Sequence, residues 1–439
     1  MPELMQQSDR DHFTADIARL RAAGGPAWLN DIRTAGAARF SDTPFPHFRQ
    51  EAWRFTNVTP IVQTPFRSVV GAAAGTISSE AVAAHLFDEP SWTQLVFVDG
   101  VFSKNLSRIA TGPKGLRAGS LAEATGADEA IVRKHLDRHV DPSHTFVCLN
   151  SAFIQDGGFV YVPKGVALEA PIHLLYVSTG ASLSASHPRT LVVLGESANA
   201  TVVETHVGAP GAGAYLSNGV AEYVLEDNAQ LTRYSMIDEA VEGFHLETAK
   251  IVLGRDAGVT TFSMTLGGAI VRNEVSVVLG GDGGRCEMNG LYLNDGNRLI
   301  DNALHVRHAK SHCYSRMGYK GVLDGSSRAV FTGKVHVDRD AQKTDSNQLN
   351  NNLLLSGNAT IDTKPQLEIF ADDVKCTHGA TIGGFPPELI FYFRSRGISR
   401  AKANGILTYG FTAEVVDRIA LAPLRDRLAR YCFTKFSPD

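Results

Sequence analysis

Cysteine is scarce in this chain: five residues in 439, at positions 148, 286, 313, 376 and 432. A secreted domain stapled by disulfides carries them more densely, so a reducing compartment fits better. Long apolar runs are missing as well. No window reaches the ~18 uninterrupted apolar residues that a membrane span needs, and the N-terminal stretch from Met1 to Arg10 has no signal-peptide core. The expectation is a cytoplasmic protein with no membrane contact. Nor is there an excess of basic charge. The formal net charge is −4, which speaks against nucleic acid as a partner.

Common catalytic signatures are absent too. Gly333-Lys334 resembles the end of a phosphate loop, but Arg328 replaces its first glycine and Val335 its Ser/Thr. Gly208-Ala-Pro-Gly-Ala-Gly213 breaks the dinucleotide order, and no helix pattern follows it. There is no nucleophile elbow and no His-Glu-x-x-His. The chain lacks the usual equipment for ATP hydrolysis, hydride transfer or acyl transfer, and it reads as non-catalytic.

What is present is glycine (41 residues) and enough apolar residue (44%) for a large core of two or three domains. Residues 1–92 read as a mainly helical region. Phe13, Ile17 and Leu20 share one helix face and Gly24-Gly25-Pro26 ends it, then Trp28, Leu29 and Ile32 mark a second helix. A Pro-broken stretch with the run Glu51-Ala-Trp-Arg-Phe-Thr-Asn57 follows. From Gln94–Val98 and its Asp99-Gly100 turn the period becomes that of strands, which fill residues 93–384. One helical insertion, at about 119–139, is expected to open on the capping box Ser120-Leu-Ala-Glu123. Residues 385–439 return to helices, with Gly410 read as a helix end and Arg425, Arg427 and Arg430 as a solvated face or a docking surface.

From Phe146 onward an element recurs: an apolar strand ending in Leu or Val, a short turn, then a small residue and a second strand. It reads Leu194-Gly-Glu-Ser-Ala198, Leu225-Glu-Asp-Asn-Ala229, Leu253-Gly-Arg-Asp-Ala257, Leu279-Gly-Gly-Asp-Gly283 and Leu355-Ser-Gly-Asn-Ala359. Val162-Pro-Lys-Gly-Val166 and Leu323-Asp-Gly-Ser-Ser327 are looser copies. A near-regular interval of about 30 residues built from strands points to a solenoid. Each interval is one wide coil or two narrow ones, and a large antiparallel sandwich is the competing fold.

Two clusters invite a metal reading. In the first, His305, His308, His312 and Cys313 lie close in sequence, but His305 and His308 point to opposite faces of a strand, so ordinary strand histidines are the better reading. In the second, Asp372-Asp-Val-Lys-Cys-Thr-His-Gly379, Cys376 and His378 are two apart and share a strand face, about 6.6 Å apart along the chain. A thiolate and an imidazole so placed can hold a soft metal, and His378 can lower the thiol pKa to make Cys376 a sulfur acceptor. A buried structural pair is the alternative.

The residues from Thr363 to Gly383 resemble the signature of the SufB/SufD family of iron–sulfur cluster assembly scaffolds. The likeness continues through Phe391-Tyr-Phe-Arg-Ser-Arg-Gly397, and upstream through Phe331-Thr-Gly-Lys-Val335, Ala341-Gln-Lys-Thr344 and Gln348-Leu-Asn-Asn-Asn-Leu-Leu-Leu-Ser356. Glu51-Ala-Trp-Arg-Phe-Thr56 is similar to the family's N-terminal element and Val160-Tyr-Val-Pro-Lys-Gly165 to its first coil. Lys375-Cys-Thr-His-Gly-Ala-Thr381 points to the SufD branch.

The resemblance implies a right-handed parallel β-helix between helical regions. It also implies a complex with SufB and two copies of the SufC ATPase, which docks on the C-terminal helices and whose nucleotide binding moves the scaffolds. De novo cluster formation and iron delivery at the border with SufB follow from it. Cys376 and His378 match the family's implicated pair, as candidate ligands of a transient iron–sulfur cluster or iron, while the principal sulfur-accepting cysteine sits on SufB. Nothing tightly bound is expected in the isolated chain. Flavin is associated with such complexes, but no flavin motif is found. Two other readings stay open. One is a β-helix carbohydrate enzyme using Asp324, Asp338, Asp340 and Asp345. The other is a metal-free scaffold that pairs with itself.

Overall fold

The computed structural model describes residues 10–24, 27–73 and 75–437. The Gly25-Pro26 helix stop and the first nine residues read above lie outside the described residues. Among those described, the chain forms a parallel β-solenoid of about eight coils, with helices towards both ends of the sequence.

Each coil gives one strand to each of two sheets. Sheet one runs through Gly158–Val162, Arg189–Leu194, Tyr215–Leu225, Gly243–Leu253, Ile270–Leu279, Leu299–His308, Arg328–Val337 and Thr360–Ile369. Sheet two runs through Thr93–Val98, Ile172–Ser178, Asn199–Gly208, Gln230–Asp238, Gly258–Gly267, Arg285–Asn294, Tyr314–Leu323, Asp345–Leu354 and Lys375–Gly383. Neighbours in each sheet pair in parallel, as Gly258 with Arg285 and Arg285 with Tyr314. The repeat of about 30 residues is therefore one coil of two strands.

The recurring turn has a physical cause. Where sheet one hands the chain to sheet two, one residue takes the left-handed conformation: Gly165, Ser197, Asn228, Asp256, Gly283, His312 and Lys343, all with φ between 55° and 72°. Its amide donates to the corresponding turn of the next coil, Ser197 to the Asp227 carbonyl at 2.9 Å and Asn228 to Arg255 at 2.7 Å. The ladder thus continues through the turns, and the backbone polar groups of a stacked loop are satisfied. The strand-end residue ahead of each turn points inward, so Leu194, Leu225, Leu253, Leu279, His308 and Val337 stack in register. The sequence repeat slips after Leu279. Leu323 and Leu355 belong to the opposite turns, and the true continuations are His308 to Cys313 and Val337 to Thr344. This explains the one long interval of 44 residues between Leu279 and Leu323.

The strand series begins later than Phe146. Thr145–Phe153 is a helix, buried at every residue, so it shows no amphipathic stripe. It packs on Ala27–Asp42, where a Cβ on Gly36 would lie 2.6 Å from the Ala152 amide nitrogen. The expected capping box is not one. Ser120 ends a strand, Arg117–Ser120, and its hydroxyl donates to Asp156 at 2.6 Å. The helix starts instead at Ala127 and ends at His135.

The N-terminal helices bury Phe13, Phe40 and Trp53 against the outer face of sheet one around Leu216 and Leu246. The Arg272 guanidinium lies 3.9 Å over the Trp53 ring, which pins the Pro-broken stretch to the solenoid. The C-terminal helices Pro387–Arg394, Arg400–Val416 and Ala422–Phe436 fold back on sheet two. There Val415, Ile419 and Leu428 cover Tyr234, Phe262 and Leu291. Each such side chain gains about 1.5–3 kcal/mol on leaving water. Gly410 lies inside Arg400–Val416 and ends nothing, because the apolar face runs on past it. Arg427 is not solvated either. It donates to the His85 carbonyl at 2.8 Å and to that of Leu86, and lies 4.0 Å over the Phe87 ring.

The two ends of the solenoid differ. At the first coil, Val101–Phe102 and Arg117–Ser120 pair antiparallel and close the sheet edges. At the last, Thr360–Ile369 and Lys375–Gly383 have a strand partner on one side only among the described residues.

Candidate functional site

Cys376 and His378 sit on that last, open coil. Strand alternation puts both on the inward face, and register stacks Cys376 above Ser346, Ser315 and Cys286. His378 follows Gln348, Met317 and Met288 in the same way. In the lower coils these positions are sealed. At the open end nothing among the described residues covers them, so Cys376 is half-buried and His378 is exposed. The other four cysteines are all buried. The pair is therefore neither a dry structural pair nor a complete site. Among the described residues no third His, Cys, Asp or Glu joins it in a metal-sized group.

In the chain by itself, other groups dominate the environment of the thiol. Partial burial, with the Asp345 carboxylate adding to it, pushes the Cys376 thiol up from its ordinary value. The thiol stays protonated at neutral pH until a cation supplies the charge that favours the thiolate.

The first histidine cluster is not brought together. His308 occupies a core ladder position, bonded to Ser315 at 2.8 Å and to Thr344, and burial holds it down to about 4. His305 is half-buried, His312 is the exposed left-handed turn residue, and Cys313 is buried against backbone carbonyls. The acidic residues weighed for sugar chemistry are spread over turns and strand ends. Asp338 pairs with Arg307 at 2.8 Å and Asp345 with Arg316 at 2.9 Å.

A second constellation went unnoticed in the sequence. Inside the middle coils, inward positions carry Glu204, His206, Arg233, His245 and Glu247, all buried. Arg233 bonds to Glu204 at 2.6 Å and also to Glu247. His245 Nδ1 meets Glu239 at 2.8 Å. His206 stacks on Tyr176, with ring centroids 4.8 Å apart, and meets His245 edge-on at 4.8 Å. Burial holds His206 down to about 4. Burial opposes charge on His245 too, but hydrogen bonds and attraction from Glu239 and Glu247 outweigh it and raise it to about 9. The signal was there as Glu204-x-His206 and His245-x-Glu247, each pair two apart on a strand.

Comparison with known proteins covers almost the whole chain. Residues 176–411 match the family model described as the SUF system FeS cluster assembly, SufBD core domain, and residues 6–174 match the SufBD protein N-terminal region. An iron–sulfur cluster assembly SufBD family protein of Synechocystis is 31% identical over 92% of this chain and 90% of its own. The iron–sulfur cluster assembly protein SufD of Escherichia coli is 33% identical over 86% of each. SufD of Bacillus subtilis is 24% identical over 92% of this chain and 93% of its own.

Proposed function

The chain belongs to the SufB/SufD family of iron–sulfur cluster assembly proteins, and from that premise we propose that it is the SufD-type, non-catalytic scaffold of a cytoplasmic complex with SufB and the SufC ATPase. The observation that carries this reading is the uncapped last coil. Its edges offer unpaired backbone donors and acceptors to another chain. Its inward face offers Cys376 and His378, the one cysteine that is not buried and an exposed imidazole. Two ligands are too few for iron or a cluster, and ligands from a SufB-type partner at the border would complete the set. Iron or a nascent cluster is then cargo held in transit.

The C-terminal helices suit SufC. They bury one side on sheet two and leave Phe391, Tyr392, Ile406 and Phe433 between 44% and 72% exposed. Apolar exposure on that scale marks a contact surface.

The test is a Cys376→Ala, His378→Ala double variant in cells that depend on the Suf machinery. It should fold and co-purify with SufB and SufC yet lower the output of clusters. Undiminished output would sink the ligand role, and failure of the native chain to capture SufB or SufC would sink the scaffold role.

A further inference from the structure

The inward constellation of the middle coils lies apart from Cys376 and His378 and plays no part in the reading above. Five of its atoms have no hydrogen-bond partner although fully buried: Nη1 of Arg233 and, on three potential ligands, both ring nitrogens of His206, Nε2 of His245 and Oε2 of Glu247. One ligand atom from each of the three residues can be chosen so that all lie within 4.8 Å of one another. Buried polar atoms are almost always paired, so unpaired ones that converge on a single point ask for an occupant.

The surroundings specify what kind. Glu239 holds the Nδ1 side of His245, which leaves Nε2 to face the point. This is the carboxylate–histidine arrangement that orients metal-binding imidazoles. Arg233 takes Oε1 of Glu247 and leaves Oε2 facing Nε2 of His245 at 3.9 Å, an ion pair when that imidazole is charged. His206 is held flat by Tyr176. Three carboxylates (Glu204, Glu239, Glu247) stand against the Arg233 guanidinium and, without a metal, a proton that Glu239 and Glu247 hold on His245; a metal that displaces this proton meets two surplus negative charges. A water molecule would answer the orphan atoms but not that charge; a divalent cation answers both. Two imidazoles and one carboxylate suit a first-row transition ion, while calcium and magnesium prefer oxygen alone.

We propose that His206, His245 and Glu247 form a binding site for a divalent first-row transition metal ion inside the solenoid. The three residues come from Asn199–Gly208 in sheet two and Gly243–Leu253 in sheet one, so the ion ties the two sheets together across the interior. Because the site is enclosed, the ion enters as the coils close.

The test uses the full chain carrying Cys376→Ala and His378→Ala, so that the outer pair cannot contribute. It is produced in minimal medium with cobalt(II). The expected result is one equivalent of cobalt retained through gel filtration, with an X-ray absorption shell of nitrogen and oxygen at about 2.0–2.2 Å and no sulfur. Adding His206→Phe, which keeps the stack on Tyr176, or Glu247→Gln should lower the cobalt content at least tenfold, with circular dichroism unchanged. A background chain without cobalt, as a water-filled pocket would give, overturns the proposal. Cobalt retained at full level in the added variants, or a shell with sulfur, also overturns it. The absorption measurement stands alone if those variants do not fold.

Discussion

Arg233 and Cys376 occupy inward positions of the same sheet, yet they answer to different demands. Arg233 is fully buried between Glu204 and Glu247. Removing one member of such a set strands the others, at a cost of about 3–5 kcal/mol. Arg233→Ala should therefore lower the urea unfolding free energy by that amount or abolish soluble expression, and a loss under about 1 kcal/mol would contradict the buried network. Cys376→Ala, half-buried at the open end, should cost about 1 kcal/mol or less by the same measurement. The shared strand face of Cys376 and His378 was legible in the sequence because a spacing of two puts side chains on one side. Glu204, His206, Arg233, His245 and Glu247 were not. Polar residues at alternate positions read as the solvent face, and here helices cover the outer face of sheet two at Tyr234 and Phe262. The polar set is therefore the inner one, and only the packing reveals that inversion.

At the scale of elements, the stacked turns are where backbone conformation is decided. Asn228 is exposed and left-handed at φ 60°. A β-branched side chain is strained there, so Asn228→Val should cost about 1–2 kcal/mol although no core contact is lost. Asn228→Gly should be near neutral. Equal stabilities of the Val and Gly variants in thermal unfolding would refute the role of the turn. These turns are why the solenoid could be read from sequence: Leu, a short turn and Ala recur because the same left-handed corner recurs. The reading slipped where that chemistry changed, since His308 replaces the ladder leucine and Cys313 the small residue. The helix Thr145–Phe153 was missed for a related reason. It is buried on all sides, and neither a period of 3.6 nor of 2 stands out.

Over the whole molecule, the buried histidines set how the fold responds to acid. Burial holds His173 and His187 down to about 3 and His308 to about 4, against ~6.5 in an unfolded chain. Between about 6.5 and 4 the unfolded chain takes up protons that the folded chain refuses. Stability should thus fall as pH drops through that window, by ~1.4 kcal/mol per pH unit for each histidine. In the metal-free chain His245, held near 9, acts with the opposite sign; its contribution is present below about 6.5 and is lost as pH rises towards 9. Urea midpoints at pH 7 and pH 5 test the balance. His308→Gln should flatten the acid slope by one proton, and an unchanged slope would remove His308 from the account.

The asymmetry of the solenoid is the other whole-molecule property, and it bears on assembly. A parallel stack can grow until something stops it. Antiparallel strands stop it at the first coil, and at the last coil the stack ends with bare edges flanked by exposed Leu349, Phe370 and Ile382. An open edge with exposed apolar side chains among its charges invites another strand. The isolated chain should therefore associate with itself through this coil and exchange that contact for a SufB-type partner when one is supplied. Ile382→Lys places a charge on the outermost strand without touching the core, since Ile382 is 51% exposed. It should shift sedimentation towards the monomer and weaken capture of the partner while leaving the melting temperature unchanged. If the Lys variant associates as strongly as the native chain, the open coil is not the border, and Cys376 and His378 lose the neighbour that would complete their site.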